Sequence, residues 1–346
     1  MARMRRIIKK IALILILLLG CGLGFGETAL TDLIEEYRLS CSYEPLRNLI
    51  ILSKAGRRIV FRPGETWGVL DYSKIIILGP TERKEGMVFL SDDAAGAVLE
   101  ILGKTPEGRH RIAAIIIDPG HGGKDPGANH IHTVEGRQIK TVEKEIVLFV
   151  SKFIYDDLKA AFPDKQVILT RSEDLFLTLE DRTEIANQVN VSSEEAIIFV
   201  SIHANASLNP HSSGFEVWYL PTGYRREILD SSALDPASKE LHPILNTMLE
   251  EEITVESIIL ADEISSGMEG AIGNLSENRG LKEESWFVVR KAKMPSVLVE
   301  IGFLTNTEEA VRLTEPSYLQ KIAKGIYNGI YMFVDSFERT SGFTEP

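Results

Sequence analysis

The stretch AAIIIDPGHGGKDPGA, residues 113–128, decides the reading of this 346-residue chain. Ala113 to Ile117 is a short, apolar, β-branched run, the pattern of a buried strand. It breaks into Asp118, Pro119, Gly120, His121, Gly122 and Gly123. In open α/β sheets ligands sit beyond the carboxyl ends of the strands, and glycines let backbone approach a bound group closely. The pattern recurs at residues 196–202 (AIIFVSI), which deliver His203 followed by Ala204, Asn205 and Ala206. Two histidines on two strand ends point to one metal site.

A third ligand can be sought on a helix. From Ile146 the apolar residues Phe149, Val150, Phe153, Ile154, Leu158, Ala161 and Phe162 form a helical stripe closed by Pro163. Thr141 is read as the N-cap, which puts Glu143 in the first turn, where the helix dipole favours a carboxylate. A fourth candidate is Glu300, delivered by the apolar run Ser296 to Val299. A carboxylate inside SVLVEIGF would be buried, and a buried charge needs a partner or a metal. Two neutral imidazoles and one carboxylate are a usual ligand set for catalytic zinc (Zn2+), with a position left open for water. A second carboxylate beside that water can take its proton and pass it to a leaving amine. Each residue alone has a plainer reading, a structural histidine or a first-turn dipole partner; the combination carries the inference. Asp118 is placed behind the ligands, holding a ligand imidazole or the loop.

Residues 112–337 resemble the zinc-dependent N-acetylmuramoyl-L-alanine amidases of bacterial cell-wall metabolism. The resemblance lies in IIIDPGHGGKDPGA, VEKEIVL (142–148), LTRSEDLFLTLEDRTEIAN (169–187), FVSIHANA (199–206), GFEVWYL (214–220) and MPSVLVEIGFLTN (294–306), in the family's order. Carried over residue by residue, it implies His121, Glu143 and His203 as zinc ligands and Glu300 as the catalytic carboxylate. It also implies an α/β fold: a single catalytic domain with a mostly parallel sheet flanked by helices. One departure is NHIHTVEGRQIKTV (129–142), where the family's segment is often short; His130 and His132 within it are read as loop residues.

Other polar residues of the segment are read as architectural. Arg171 with Asp174, and Arg182 with Asn187, are expected to make loop and helix-start contacts. Asn205 would either donate to substrate or tie the loop. Arg279, Gly280 and Lys282 precede a strand-like WFVVR (286–290) and face either an anionic glycopeptide or solvent.

Residues 1–26 are read as a signal peptide. Arg3, Arg5, Arg6, Lys9 and Lys10 make a basic start, Ile11 to Leu19 an apolar core, and Gly24-Phe25-Gly26 a small-x-small cleavage site. The apolar stretch is shorter than the ~20 residues of a spanning helix. Export to the periplasm or cell envelope is expected. Losing those five positive charges takes the formal net charge from −12 to −17, and an acidic chain is a poor partner for nucleic acid. Of the two cysteines, Cys21 lies in LLLGC, a loose likeness of a lipoprotein box, so its lipid anchoring is an alternative to release after Gly26. Without Cys21, Cys41 is a single thiol, and neither shows the paired spacing of cysteine zinc sites.

Two domains follow the signal. Residues 27–105 are expected to form a small β-rich domain that opens with a helix, Ala29 to Arg38. LIILSKAGRRIVFR turns at Ala55-Gly56, and KIIIL, MVFL and a helix from Asp92 to Leu102 come next. This domain, free of histidine, is read as a targeting or scaffold module or a structural cap. Residues 106–111 form a linker, 112–338 the catalytic domain, and the tail after Asp335 is polar and frayed.

The function that the resemblance implies is hydrolysis of the amide between N-acetylmuramic acid and L-alanine in peptidoglycan. A zinc peptidase acting within the stem peptide and a catalytically silent wall-binding regulator stay open. Between GFEVWYL and NRGLK, residues 221–278 carry two helical patterns, about 236–252 and 255–268. The first resembles the regulatory helix of division-associated amidases, which implies that it lies over the metal until a protein activator removes it, with Glu240 or Glu250, Glu251 and Glu252 supplying a carboxylate; the alternative is a solvated acidic face.

Overall fold

The computed structural model describes residues 27–54, 57–70, 74–103, 111–192, 195–224, 226–228 and 242–340. The signal-peptide reading with Cys21, the Ala55-Gly56 turn, Glu240 and most of the linker lie outside them. The chain divides into two compact units, up to residue 105 and from residue 106 on.

The first unit runs β1 (Glu27–Ala29), α1 (Leu30–Tyr37), β2 (Ser40–Glu44), β3 (Leu49–Lys54), β4 (Arg57–Phe61), β5 (Trp67–Leu70), β6 (Lys74–Ile77), β7 (Thr81–Lys84), β8 (Met87–Ser91) and α2 (Asp92–Gly103). The strands form an antiparallel sheet in the order β2-β3-β4-β5-β6 and a second of order β1-β8-β7. Leu30 and Leu33 of α1 and Val98 and Leu102 of α2 close on Leu52, Ile59, Phe61 and Leu90.

In the second unit β9 (Arg111–Pro119) starts at Arg111, a residue expected in the linker. The hairpin β10 (Asn129–Val134) and β11 (Arg137–Val142) precedes α3 (Glu143–Ala161). Next come β12 (Gln166–Leu169), α4 (Leu179–Asn187), β13 (Glu195–Asn205), β14 (Phe215–Tyr219), α5 (His242–Ile272), β15 (Asn278–Glu283), α6 (Phe287–Lys291), β16 (Ser296–Phe303), α7 (Thr307–Arg312) and α8 (Pro316–Thr340). The main sheet has the order β12-β9-β13-β16-β14-β15. It is mixed: β14 meets β16 antiparallel, while the other neighbours run parallel. On one face Ile112, Ile117, Val200 and Val299 bury against α3, α5 and α8; on the other Ala114, Ile116 and Phe199 meet Ala186 of α4 and Val288 and Val289 of α6. Burial on both faces explains why the strands read as continuous apolar runs rather than alternating ones.

Several expectations need correction. His130 and His132 are not loop residues: NHIHTV pairs with RQIKTV around a turn at Glu135-Gly136, both in the left-handed region. Thr141 is therefore a strand residue, its Oγ1 donating to the His130 carbonyl, and the N-cap of α3 is Val142. WFVVR is not a strand. Trp286 is an N-cap, and α6 buries adjacent Val288 and Val289, which one strand face could not do. The two helical patterns of 236–268 are one helix over the described residues, because no Gly or Pro interrupts residues 244–266. The described part of the tail, from Asp335 to Thr340, continues α8, with Phe337 buried and Glu338 accepting from Lys165 at 2.5 Å and from the Ile112 amide at 3.0 Å.

Candidate metal centre

Three segments converge at the carboxyl end of the sheet. His121 follows β9, His203 lies near the end of β13, and Glu143 is the first residue of α3. Each offers a donor atom, and these atoms lie within 4.8 Å of one another. Glu143 is buried, its Oε2 3.2 Å from His121 Nε2 and its Oε1 3.0 Å from His203 Nδ1. The amides of Ala128 and Ala204 donate to the same two oxygens at 2.8 and 3.0 Å. Burial opposes the ionised form, yet the two imidazoles outweigh it and hold the Glu143 carboxyl far below the usual carboxylate range. Burial also opposes the His121 cation, but the carboxylates of Glu143 and Asp125 overcome it and raise that imidazole.

The loop of His121 is fixed from behind. Gly120 passes so close to His203 that a Cβ there would strike the imidazole ring, and His121 itself adopts φ 57°. Arg171 is buried and donates to the carbonyls of Pro119 (2.9 Å), Gly120 (2.7 Å) and Lys144 (3.0 Å). Arg182 donates to Pro119 O at 2.6 Å and to the His121 carbonyl. Asp118 does not touch an imidazole; it holds the loop through Arg182 at 2.7 Å, with Thr170 and Ser201 donating at 2.5 and 2.8 Å. Asp174 accepts from the Gly123 amide and from Lys144, and Asn187 bridges Lys291 O and the Lys293 amide.

Glu300 on β16 stands in register with His203 on one side and Glu216 on the other. Its Oε2 is buried with no hydrogen-bond partner among the described residues. Burial, then the charges of Glu143 and Glu216, push its carboxyl well above the usual range. An unsatisfied buried carboxylate oxygen beside a His–Glu–His cluster is poorly placed without a cation, so the donor set fits a zinc ion.

Asp125 and Glu216 were missed from sequence. Asp125 Oδ2 lies 2.8 Å from His121 Nδ1, which fixes the tautomer and leaves Nε2 for the cluster. The signal was an acid four residues after a histidine in a glycine-rich loop. Glu216 accepts from Asn205 Nδ2 and Arg279 Nε, both at 2.8 Å. It lies inside the apolar GFEVWYL, where the argument used for Glu300 applied equally. Asn205 thus ties the loop, and Arg279 is occupied by Glu216 rather than presented alone.

Of the described carboxylates on α5, Glu250 is engaged with Arg226 rather than with this cluster. Glu250 is buried and pairs with Arg226 Nε at 2.9 Å; Arg226 Nη1 also donates to Ala292 O at 3.0 Å. That contact sits where the chain enters β16, at the opposite end of the strand from Phe303.

An α/β sheet with a His–Glu–His cluster at its strand ends and a lone carboxylate in register beside it defines a protein with a candidate metal centre. The chain belongs to the N-acetylmuramoyl-L-alanine amidase family, whose profile matches residues 115–332. It is 34% identical over 221 residues to the uncharacterized protein YqiI of Bacillus subtilis, across 64% of this chain and 84% of that protein. To the N-acetylmuramoyl-L-alanine amidase LytC of Bacillus subtilis it is 31% identical over 241 residues, 66% of this chain but 39% of LytC. Among solved structures, the amidase AmiC2 of Nostoc punctiforme is 30% identical with a TM-score of 0.47, covering 66% of this chain and 98% of that one.

Proposed function

We propose that this chain is an exported zinc amidase that hydrolyses the amide joining the lactyl group of N-acetylmuramic acid to the L-alanine of the peptidoglycan stem peptide. The observation that carries the reading is the buried, unpartnered Oε2 of Glu300 beside the His121, Glu143 and His203 donors. Family membership supports the same bond. His121, Glu143 and His203 would hold the zinc ion, which when bound supplies Lewis acidity and a lowered pKa for water. Glu300 removes the proton from the attacking water as the new C–O bond forms at the lactyl carbonyl. It returns that proton to the alanine nitrogen as the C–N bond breaks. A carboxyl whose proton affinity is raised by burial and by Glu143 and Glu216 suits both halves of that transfer. Asp118, Arg171 and Arg182 keep the His121 loop in place and move no proton.

Residues 1–26 are proposed as the export signal, 27–105 as a wall-targeting or scaffold module, 106–111 as the linker and 112–338 as the catalytic domain. Among the described residues no helix is long and apolar enough to cross a membrane. Amino-terminal sequencing with fatty-acid labelling separates release before Glu27 from anchoring at Cys21.

Glu300→Gln is expected to lower turnover of purified wall by about 100- to 10,000-fold with zinc content unchanged. His121→Ala, Glu143→Ala and His203→Ala are each expected to lower zinc content. Mass analysis of the digest is expected to find intact stem peptides with a free L-alanine amino terminus. Products cut within the stem peptide, or near-parental turnover by Glu300→Gln, would sink the assignment.

A further inference from the structure

The segment 129–142 has so far supplied no chemistry, yet it enters the site directly: β11 ends at Val142 and the next residue is Glu143. At its base the Glu143 amide donates to Ala128 O at 2.9 Å, and the Ala128 amide donates to Glu143 Oε2. Among the described residues the hairpin pairs only with itself, and an isolated two-stranded hairpin is marginally stable in water. It needs an anchor, or the start of α3 would share its motion.

His132 is that anchor. It is buried, the only buried side chain of β10, with Nε2 2.8 Å from Leu304 O and Nδ1 3.1 Å from Thr307 Oγ1. A carbonyl can only accept, so Nε2 carries the proton and Nδ1 accepts from the Thr307 hydroxyl. Leu304 follows β16, the strand of Glu300, and its own amide donates to Asn205 O at 2.8 Å, two residues past His203. One peptide residue therefore joins three segments. Its N–H holds the His203 strand, its C=O holds the hairpin that delivers Glu143, and its chain continues from the Glu300 strand.

We propose that His132 is a positioning residue that sets Glu143 against His203 and Glu300 through this junction. The inference rests on the reading of His121, Glu143 and His203 as zinc ligands. His132 touches none of the reacting atoms; it restricts where Glu143 can sit.

The test measures zinc affinity by chelator competition on the full chain, alongside kcat and KM on purified wall. His132→Ala is expected to weaken zinc binding about tenfold and lower kcat by a similar factor, leaving KM within twofold of the parent. His132→Gln, which can restore donation to Leu304 O, is expected to recover most of both. Thr307→Val removes one hydroxyl and decides the matter should His132→Ala fail to fold; a two- to threefold loss of zinc affinity is expected. Variants that melt earlier but keep parental zinc affinity and kcat overturn the proposal. A parent inactive on wall whose zinc affinity still falls in His132→Ala leaves the positioning role standing and removes the amidase reading.

Discussion

Asp118 shows how one buried residue can matter to a metal site it never touches. Its carboxylate is wholly buried between Arg182, Thr170 and Ser201. Burial disfavours its charge, but the Arg182 guanidinium and the two hydroxyls outweigh that and lower its pKa below the ordinary value of about 3.9. A folded-state pKa below the unfolded one means the stabilisation is fully present above the unfolded value. It is lost as pH falls through the folded value. Asp118→Asn leaves Arg182 buried without its counter-charge and is expected to cost about 3–5 kcal/mol near neutral pH. Urea unfolding between pH 2.5 and 7 checks this. The variant should lose less stability than the parent on acidification, and an identical acid limb in both would contradict the assignment. The same substitution frees the Arg182 contact to the His121 carbonyl, so zinc content is expected to fall too.

At the scale of elements, the crossing of α5 with α8 depends on glycine for space. A Cβ on Gly329 would fall against the backbone of Glu263 and Ile264, and one on Gly267 against Gly325 and Gly329. Intrinsic helix propensity favours Gly329→Ala by about 1 kcal/mol, whereas overpacking a close interface costs about 1–3 kcal/mol. The clash is with backbone, which cannot rotate away, so net destabilisation is expected by thermal melting. A variant more stable than the parent would show that the helices can separate at no cost. Elements of this kind explain what was legible beforehand. Residues 113–117 and 296–299 announce themselves because strands buried on both faces are uninterrupted apolar runs. WFVVR misleads because four apolar residues and an arginine fit a strand or one helical turn equally, and only the packing of Val288 and Val289 decides. NHIHTV carries polar residues on both faces, so no period marks it as a strand; its order comes from His132 reaching Leu304, 172 positions away. His121 and His203 were readable because each follows an apolar run at a strand tip, and Glu143 because it opens a helical stripe. Asp125, four residues after His121, and Glu216, inside the apolar GFEVWYL, carried comparable signals, but their partners appear only once the loop and sheet bring them together.

For the whole molecule, the two units draw their cores from separate stretches of chain. One apolar cluster lies between Leu30 and Leu102, and the other two between Ile112 and Phe337. The candidate ligands all belong to the second unit. A ligand that binds only the folded form stabilises whatever unfolds with its site, by about 2.7 kcal/mol at a free concentration one hundred times the dissociation constant. For a unit of this size each kcal/mol moves the melting temperature by about 2–4 °C, so zinc should raise its transition by about 5–10 °C. Scanning calorimetry of the full chain, with zinc and then with excess chelator, is expected to resolve two transitions of which only one responds. His203→Ala should abolish the response while leaving the other transition where it was. A response that survives His203→Ala would place the zinc elsewhere in the chain, and two transitions moving together would mean that the units unfold as one.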